Sequence, residues 1–147
     1  MPPLQDRLSA ALITARKAQD RPLTLVLGTT LSDIRNREIE LKRALTDDDV
    51  VDVLRKGVKK RRESIGMFTQ GGRMELAAQE TAEVAALERF LPAEASEDDI
   101  RTAVRATIAG GAAGVGPVMG QVMSQFKGRA DGGTINRIVR EELGKSE

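Results

Sequence analysis

The stretch that decides the fold runs from residue 46 to residue 72 and reads TDDDVVDVLRKGVKKRRESIGMFTQGG. Thr46 followed by three aspartates is typical of a helix N-terminus, because a hydroxyl can cap the first free amides and the helix dipole favours carboxylates. Apolar residues then share one face: Val50, Val53, Leu54, Val58, Ile65 and Phe68. Gly71 and Gly72 supply a left-handed stop. The stretch therefore predicts one long amphipathic helix.

The residues before this stretch predict two more helices. Apolar stripes at helical spacing run from Leu4 to about Gln19 and from Leu23 toward a break near Leu45. The first stripe contains Leu8, Ala11, Leu12 and Ala15, and the second contains Leu23, Leu27, Leu31, Ile34, Ile39 and Leu41. We expect Asp20-Arg21-Pro22 to end the first helix, because the residue before a proline is pushed out of helical conformation.

The residues after Gly72 predict a fourth helix, which ends at Pro92, and then a separate tail. The apolar stripe of the fourth helix contains Leu76, Val84, Leu87 and Phe90. Ser96 and the acidic residues after it predict the start of a tail helix. The inward positions of the three tail helices are Ile100, Ala103, Val104 and Ile108, then Val118, Met119, Val122, Met123 and Phe126, then Ile135, Ile138, Val139 and Leu143.

No run of period-two alternation bounded by hairpin turns occurs in the sequence. The prediction is therefore an all-α fold with two domains. An N-terminal region of four helices covers residues 1–92, and a small three-helix domain covers residues 96–147. A unit of about 50 residues buries only roughly 60% of its unfolded surface. We expect the short link at residues 93–95 to let the two domains move relative to each other.

The composition excludes several kinds of chemistry. The 147 residues include no cysteine and no histidine, so a disulfide, a thiolate zinc site and an imidazole acid–base group are ruled out. We expect no metal and no cofactor. Tryptophan and tyrosine are also absent, and three phenylalanines remain, so base stacking on aromatic platforms is not expected.

The sequence also bears on location. No stretch approaches the roughly 20 uncharged residues that cross a bilayer, and the first residues contain no apolar run of signal-peptide length. We therefore expect a cytoplasmic protein without a membrane partner.

The net charge of +1 hides a segregation of charge along the chain. Residues 1–72 carry 14 basic and 10 acidic side chains, and residues 73–99 carry two basic and eight acidic ones. Residues 101–140 carry six basic side chains against one acidic one, and the last seven residues sum to −2. Such asymmetry is an argument about partners, and it favours an anionic partner for the C-terminal third.

Several motifs resemble the YqeY-like family, whose C-terminal half is shared with the tail of the B subunit of the glutamine-dependent aminoacyl-tRNA amidotransferase. Those in the N-terminal half are Ile34-Arg35-Asn36, Glu38-Ile39-Glu40, Leu45-Thr46-Asp47, residues 58–65, Gly72-Arg73, and Phe90-Leu91-Pro92 where the family usually has Tyr-Leu-Pro. Those in the tail are residues 116–120 and 127–132. Pro117 departs from the pattern, because the family commonly has lysine there.

The resemblance implies an all-helical protein with two domains, and a tail that in the amidotransferase subunit is associated with tRNA. It also implies an association with carbon–nitrogen ligases that use glutamine as amido-nitrogen donor. It does not bring the amidotransferase active site, which belongs to a separate and larger domain. We expect no independent enzymatic activity, since neither a cysteine nucleophile nor a recognisable nucleotide site is present.

The first candidate nucleic-acid site lies in the tail. Lys127, Gly128 and Arg129 precede Asp131 and two glycines, and this loop could offer cations and backbone amides to a phosphate. Arg137 and Arg140 lie three residues apart on the last helix and would extend the positive surface. The alternative is a solvated helix–helix turn, with Asp131 as the cap of the last helix and the two arginines on an ordinary polar face.

A second candidate surface lies on the helix of residues 46–72. Arg55, Lys59 and Arg62 fall at positions i, i+4 and i+7, so they share a face. Arg61 instead falls within the apolar stripe. It must meet a carboxylate or extend its head group to solvent, and Glu38 and Glu40 are possible partners.

Other features of the sequence favour structural interpretations. Met119 and Met123 are expected in the tail core, although methionine surfaces can also adapt to partners. The glycines at 110, 111, 114 and 116 lack the Gly-Lys-Ser/Thr that a phosphate loop needs. The acidic clusters at residues 47–52 and 97–99 are explained by helix starts.

Three hypotheses remain open. The leading one is a non-catalytic helical protein that binds tRNA or another folded RNA through phosphates, with little base recognition, as an accessory to tRNA-dependent amidation or translation. The second is a protein-interaction module whose acidic fourth helix and methionine-containing tail dock on an amidotransferase subunit or another partner. The third is a component of a glutamine-dependent carbon–nitrogen ligase.

Overall fold

The structure is a computed structural model that describes residues 3–145. Within this range the chain forms seven α-helices and no strand, so the all-α prediction is confirmed. The helices are α1 (Leu4–Lys17), α2 (Arg21–Leu41), α3 (Asp47–Gln70), α4 (Met74–Glu88), α5 (Glu97–Ala109), α6 (Val115–Gln125) and α7 (Gly132–Lys145). Contacts divide the chain into two units, with the division between Leu91 and Pro92.

The first unit is built from α1 to α4 around one apolar core. Its most deeply buried side chains are Leu8, Leu27, Ile34, Val50, Leu54 and Leu87. Two stripe predictions were wrong, because these two side chains lie on the solvent side of their helices. Ile39 near the end of α2 is 68% exposed, and Leu76 in the first turn of α4 is 38% exposed, while Ala77 beside it is buried.

The start of α3 follows the sequence prediction closely. The Thr46 hydroxyl accepts a hydrogen bond from the Asp49 amide at 3.2 Å, and the Asp49 carboxylate accepts one from the Thr46 amide at 2.9 Å. This reciprocal pair is a capping box. Asp47 makes a contact that the sequence did not reveal, since its carboxylate accepts a hydrogen bond from the Leu4 amide at 2.9 Å. The starts of α1 and α3 are thereby joined.

The junction between α1 and α2 differs from the prediction. The first helix ends at Lys17, and Gln19 adopts a left-handed conformation with φ of 56°. Asp20 then caps α2 by accepting a hydrogen bond from the Leu23 amide at 3.1 Å, and Pro22 lies in the first turn. Proline is tolerated there because the first turn has no intrahelical acceptor for its missing N–H. The proline therefore begins α2 rather than ending α1.

The second unit is built from α5, α6 and α7. Its buried core consists of Ile100, Val104, Val118, Val122, Phe126, Ile135, Ile138 and Val139. Ser96 caps α5, since its hydroxyl accepts a hydrogen bond from the Asp99 amide at 3.0 Å. Met119 is half-buried as expected, but Met123 is 45% exposed, so its assignment to the core was wrong. Met123 lies one turn beyond Met119, where α6 is near its end.

Candidate nucleic-acid interface

Arginines of α5 and glutamates of α7 form an ion-pair network inside the second unit. Arg101 donates to Glu142 at 2.7 Å and to Glu141 at 2.8 Å, and Arg105 donates to Glu142 at 3.0 Å. Lys145 lies 3.2 Å from the same Glu142 carboxylate. Hydrogen bonds from Arg105 and Arg101 lower the pKa of Glu142 from 4.5 to about 2. These cations are therefore already neutralised by carboxylates.

Arg137, a predicted phosphate contact, belongs to the same network. Its guanidinium pairs with Glu97 at the start of α5 and with Glu141 at 2.9 Å. The hydrogen bond to Glu97, followed by that to Glu141, raises the pKa of Arg137. Arg140 is exposed and donates to the Asn136 side chain at 2.9 Å. The structure thus places one of the two predicted helix cations in internal ion pairs.

These pairs change the electrostatic character of the tail. The sequence count over residues 101–140 gives a surplus of five positive charges, but folding brings Glu97, Glu141 and Glu142 onto the arginines. Residues 92–147 together carry seven basic and eight acidic side chains, a net charge of −1. Three of the five tail arginines, Arg101, Arg105 and Arg137, are therefore neutralised by carboxylates. Arg129 and Arg140 instead donate to a backbone carbonyl and to an asparagine side chain.

The loop between α6 and α7 holds the remaining predicted tail residues. Lys127 and Arg129 are exposed, and Gly128 has a positive φ of 75°. The Arg129 guanidinium donates to the Ala93 carbonyl at 3.4 Å and lies 5.8 Å from the centre of the Phe126 ring. The backbone carbonyl of Arg129 accepts a hydrogen bond from the Ala95 amide at 2.8 Å. Arg129 thus has a structural role that the sequence did not predict.

The backbone amides of this loop are largely used within it. The amides of Arg129 and Ala130 both donate to the Phe126 carbonyl, at 2.8 and 3.2 Å. The Gly133 amide donates to the Asp131 carboxylate at 2.7 Å, so the prediction that Asp131 caps the last helix is confirmed. These three amides already have acceptors, so an anion at this loop would have to use other donors.

On α3, the structure resolves the question of Arg61. Its Nε lies 3.1 Å from the Glu83 carboxylate and 4.0 Å from that of Glu80. The expected ion pair exists, but the proposed partners on α2, Glu38 and Glu40, were wrong. Arg61 faces α4, which packs along α3.

The three residues of the predicted face, Arg55, Lys59 and Arg62, lie in different environments. Arg62 is exposed but pairs with Glu88 of α4 at 2.8 Å. Arg55 is half-buried, and Lys59 is exposed. The arginines at both ends of this face are therefore held by the unit itself or partly buried in it. Of the three, Lys59 presents its charge most openly.

An exposed basic surface is completed by two further lysines, which the sequence pattern did not single out. Lys56 and Lys60 are exposed beside Lys59, and none of the three ammonium groups forms an ion pair with a carboxylate among residues 3–145. Lys56 and Lys60 lie one turn apart, about 6 Å along the axis, and each follows a buried residue by two positions. They therefore face away from the core. We call these residues the α3 lysine face.

A signal for this surface was present in the sequence. Six of the eight residues from 55 to 62 are basic, the densest run of cations in the chain. The sequence could not show which of the six would pair internally. That depended on α4, whose glutamates take up Arg61 and Arg62.

The remaining candidate features have local explanations. The acidic residues at 47–49 and 97–99 occupy the first turns of α3 and α5. Within the described part of the chain, no group of three acidic residues is arranged to hold a metal ion, and no helix is both long and apolar enough to span a membrane.

Comparison with known proteins gives the family. The model of the family described as Yqey-like protein matches residues 5–143. The chain belongs to the YqeY-like family. Relatives of this YqeY-like chain include an uncharacterized protein of Schizosaccharomyces pombe, 33% identical over 96 residues, which cover 65% of this chain and 78% of that protein. Another is Altered inheritance of mitochondria protein 41, mitochondrial, of Pyrenophora tritici-repentis, 28% identical over 145 residues, which cover 94% of this chain and 80% of that protein.

Proposed function

We propose that this YqeY-like chain is a non-catalytic accessory protein that binds tRNA or another folded RNA, with its principal phosphate contacts on the α3 lysine face. The observation that carries the proposal is the exposure of Lys56, Lys59 and Lys60 without carboxylate partners among the described residues. Unpaired ammonium groups on a solvent face are free to replace the counterions of a polyanion.

The surroundings of the lysine face support contacts with phosphates rather than with bases. All three phenylalanines are at least half-buried, so none offers an open ring for base stacking. Lysine binds phosphate as a point charge and lacks the forked donors with which arginine recognises guanine. Binding should therefore be sensitive to salt and tolerant of sequence.

The link to tRNA-dependent amidation or translation comes from the tail. Residues 116–120 and 127–132 resemble the amidotransferase tail, and the loop cations Lys127 and Arg129 would supply a secondary contact. One relative is named as mitochondrial, which concerns that protein. We propose that this chain acts in the same compartment as its RNA partner. From the sequence, we expect that compartment to be the cytoplasm.

A salt-titrated binding assay with total tRNA tests the proposal. The test variant is K56Q/K59Q/K60Q, and the matched control is K17Q/R35Q/K42Q, which removes three exposed cations elsewhere in the same unit. For three phosphate contacts, we expect the wild-type affinity to fall roughly 40-fold between about 50 and 200 mM salt. The test variant should lose at least about tenfold at low salt, whereas the control should stay near wild type.

Two results would overturn the proposal. One is the absence of tRNA binding by the wild-type chain at low salt. The other is an equal loss in the test and control variants, which would mean that total charge and not the α3 lysine face determines affinity. Reversal of Lys127 and Arg129 should weaken binding less than the α3 variant, because the loop is a secondary contact.

A second candidate function is docking on a partner protein, which is favoured by exposed apolar side chains. Three apolar side chains around the turn between α3 and α4 are exposed. The exposed fractions are 73% for Met67, 60% for Met74 and 38% for Leu76. Methionine side chains adapt to varied apolar partners. The proposed acidic surface of α4 is weaker than expected, because Glu83 and Glu88 pair with α3. A partner retained after nuclease treatment and high salt would favour docking over RNA binding.

A further inference from the structure

A groove at the corner between α1 and α2 has no role in the proposed RNA contact. Its volume is about 680 Å³, and it is broadly open to solvent. The residues that line it are Arg16, Gln19, Arg21, Thr24 and Leu25. The groove therefore combines two cations, an amide and an apolar side chain in one place.

The two arginines of the groove are available to a ligand. Neither Arg16 nor Arg21 forms an ion pair with a carboxylate of the described residues. Asp20 lies between them in sequence, but its carboxylate caps α2 and lines a neighbouring groove. The α2 N-terminus adds partial positive charge at the same corner. The corner is thus electropositive although an acidic residue is part of it.

Gln19 occupies a position where glycine is usual. The end of α1 is closed by hydrogen bonds from the Gln19 amide to the Arg16 carbonyl at 3.1 Å and from the Asp20 amide to the Ala15 carbonyl at 2.9 Å. Such an end requires a left-handed residue, and Gln19 has φ of 56°. A side chain at this conformation costs stability relative to glycine. Gln19 also lines the groove, so its side-chain amide is within reach of a ligand held there.

We propose that this groove binds a phosphate monoester carried on an apolar or planar body, as in a nucleoside 5′-phosphate. A phosphate monoester carries close to two negative charges at neutral pH, which matches the two guanidinium groups. Guanidinium groups bind phosphate oxygens through paired hydrogen bonds. The Gln19 amide supplies a further donor, and Leu25, which is 62% exposed, offers a surface for the body of the ligand.

Calorimetric titration of the full chain with adenosine 5′-monophosphate tests the site. Adenosine serves as the ligand without phosphate, and R35Q/R73Q serves as the matched control for R16Q/R21Q. We expect saturable binding of the monophosphate, at least about tenfold weaker binding in R16Q/R21Q, and no change in the control. Equal binding of adenosine, no saturable binding at millimolar monophosphate, or wild-type affinity in R16Q/R21Q would overturn the proposal.

The variant Gln19→Gly separates the site from the stability of the fold. Glycine relieves the left-handed strain, so we expect a higher melting temperature together with weaker binding of the monophosphate. A gain in melting temperature without any loss of affinity would contradict the role of Gln19 in the site. Because the variant is expected to be more stable, weaker binding cannot be attributed to unfolding.

The same phosphate chemistry has two sources, a free mononucleotide and the 5′ end of an RNA. A short oligoribonucleotide with a 5′-phosphate, compared with its 5′-hydroxyl form, distinguishes them. In the K56Q/K59Q/K60Q background, which removes the α3 lysine face, tighter binding of the 5′-phosphate form than of both the 5′-hydroxyl form and the mononucleotide identifies the RNA end. Weaker binding of the 5′-phosphate form than of the mononucleotide identifies the free nucleotide. K56Q/K59Q/K60Q should bind the mononucleotide as wild type does, so failure of the RNA proposal leaves this one testable.

Discussion

Individual arginines and lysines occupy different environments in this protein. Arg61, Arg101 and Arg137 each pair with carboxylates, whereas Lys56 and Lys60 are exposed without such partners among the described residues. The planar guanidinium suits a carboxylate, while the compact ammonium is strongly hydrated and stays in solvent. Counting cations in a sequence therefore overestimates the charge available to a partner, and arginines account for most of the excess here.

The first prediction concerns the ion pair between Arg61 and Glu83. Glu83 makes the short contact with Arg61, whose side chain is only 15% exposed. Glu83→Gln should lower the unfolding free energy of the first unit by on the order of 1–3 kcal/mol, because a half-buried guanidinium loses its charged acceptor. Chemical denaturation monitored by circular dichroism measures this loss.

Replacement of the neighbouring Glu80 should have the opposite effect on stability. Burial, followed by the charge of Glu83, raises the pKa of Glu80, and its Oε2 has no hydrogen-bond partner among residues 3–145. A raised pKa means that the folded state binds the proton more tightly, so stability rises as pH falls through that pKa. Glu80→Gln should therefore keep or increase stability at neutral pH and remove this dependence. A loss as large as that of Glu83→Gln would contradict the assignment.

Glu142 gives a prediction for the tail. It is 5% exposed and its pKa is lowered to about 2 by Arg105 and Arg101. A lowered pKa stabilises the fold above the ordinary value of 4.5, and this contribution disappears as pH falls toward about 2. Glu142→Gln should lower the melting temperature of the tail unit by several degrees at neutral pH. Its difference from wild type should shrink in acid.

Glu141 provides the control for this experiment. It belongs to the same network, but its side chain is 41% exposed. Glu141→Gln should therefore have a smaller effect, since an exposed ion pair contributes little. Calorimetry of both variants across the acidic range compares them. Equal losses in the two variants would show that burial of Glu142 is not the source of its contribution.

At the scale of single elements, the sequence predicted what is decided locally. Thr46, Ser96 and Asp131 cap their helices, and Gly72 ends the α3 segment with φ of 74°, as expected. These features depend on residues within four positions of one another, so the sequence contains them. The errors at Ile39 and Leu76 concern which side of a helix packs against its neighbours. Sequence spacing does not give the positions of those neighbours.

The α3 cap gives a prediction at this scale. Thr46→Ala removes the hydroxyl that accepts from the Asp49 amide. We expect a loss of about 1 kcal/mol in the stability of the first unit. Thr46→Ser keeps the acceptor and serves as the control. If denaturant midpoints of the two variants coincide, the hydroxyl is not the stabilising group.

At the scale of the whole molecule, charge along the chain and charge on the surface are different quantities. The surplus of five positive charges in residues 101–140 falls to two when Glu97 and two glutamates of α7 fold onto the arginines. The candidate site on α3 was only partly predictable for a related reason. Lys59 was identified from its spacing, but the distinction between Lys60 and its neighbour Arg61 required the position of α4. The spacing of residues shows which side chains share a face of a helix, whereas the packing of neighbouring helices determines which face stays exposed to solvent.

Contact between RNA and the α3 lysine face can be mapped lysine by lysine. Mass-spectrometric measurement of lysine acetylation rates, with and without tRNA at low salt, tests this contact directly. We expect tRNA to slow the acetylation of Lys56, Lys59 and Lys60 and to leave that of Lys17 and Lys42 unchanged. Protection confined to Lys127, or spread equally over all exposed lysines, would contradict it.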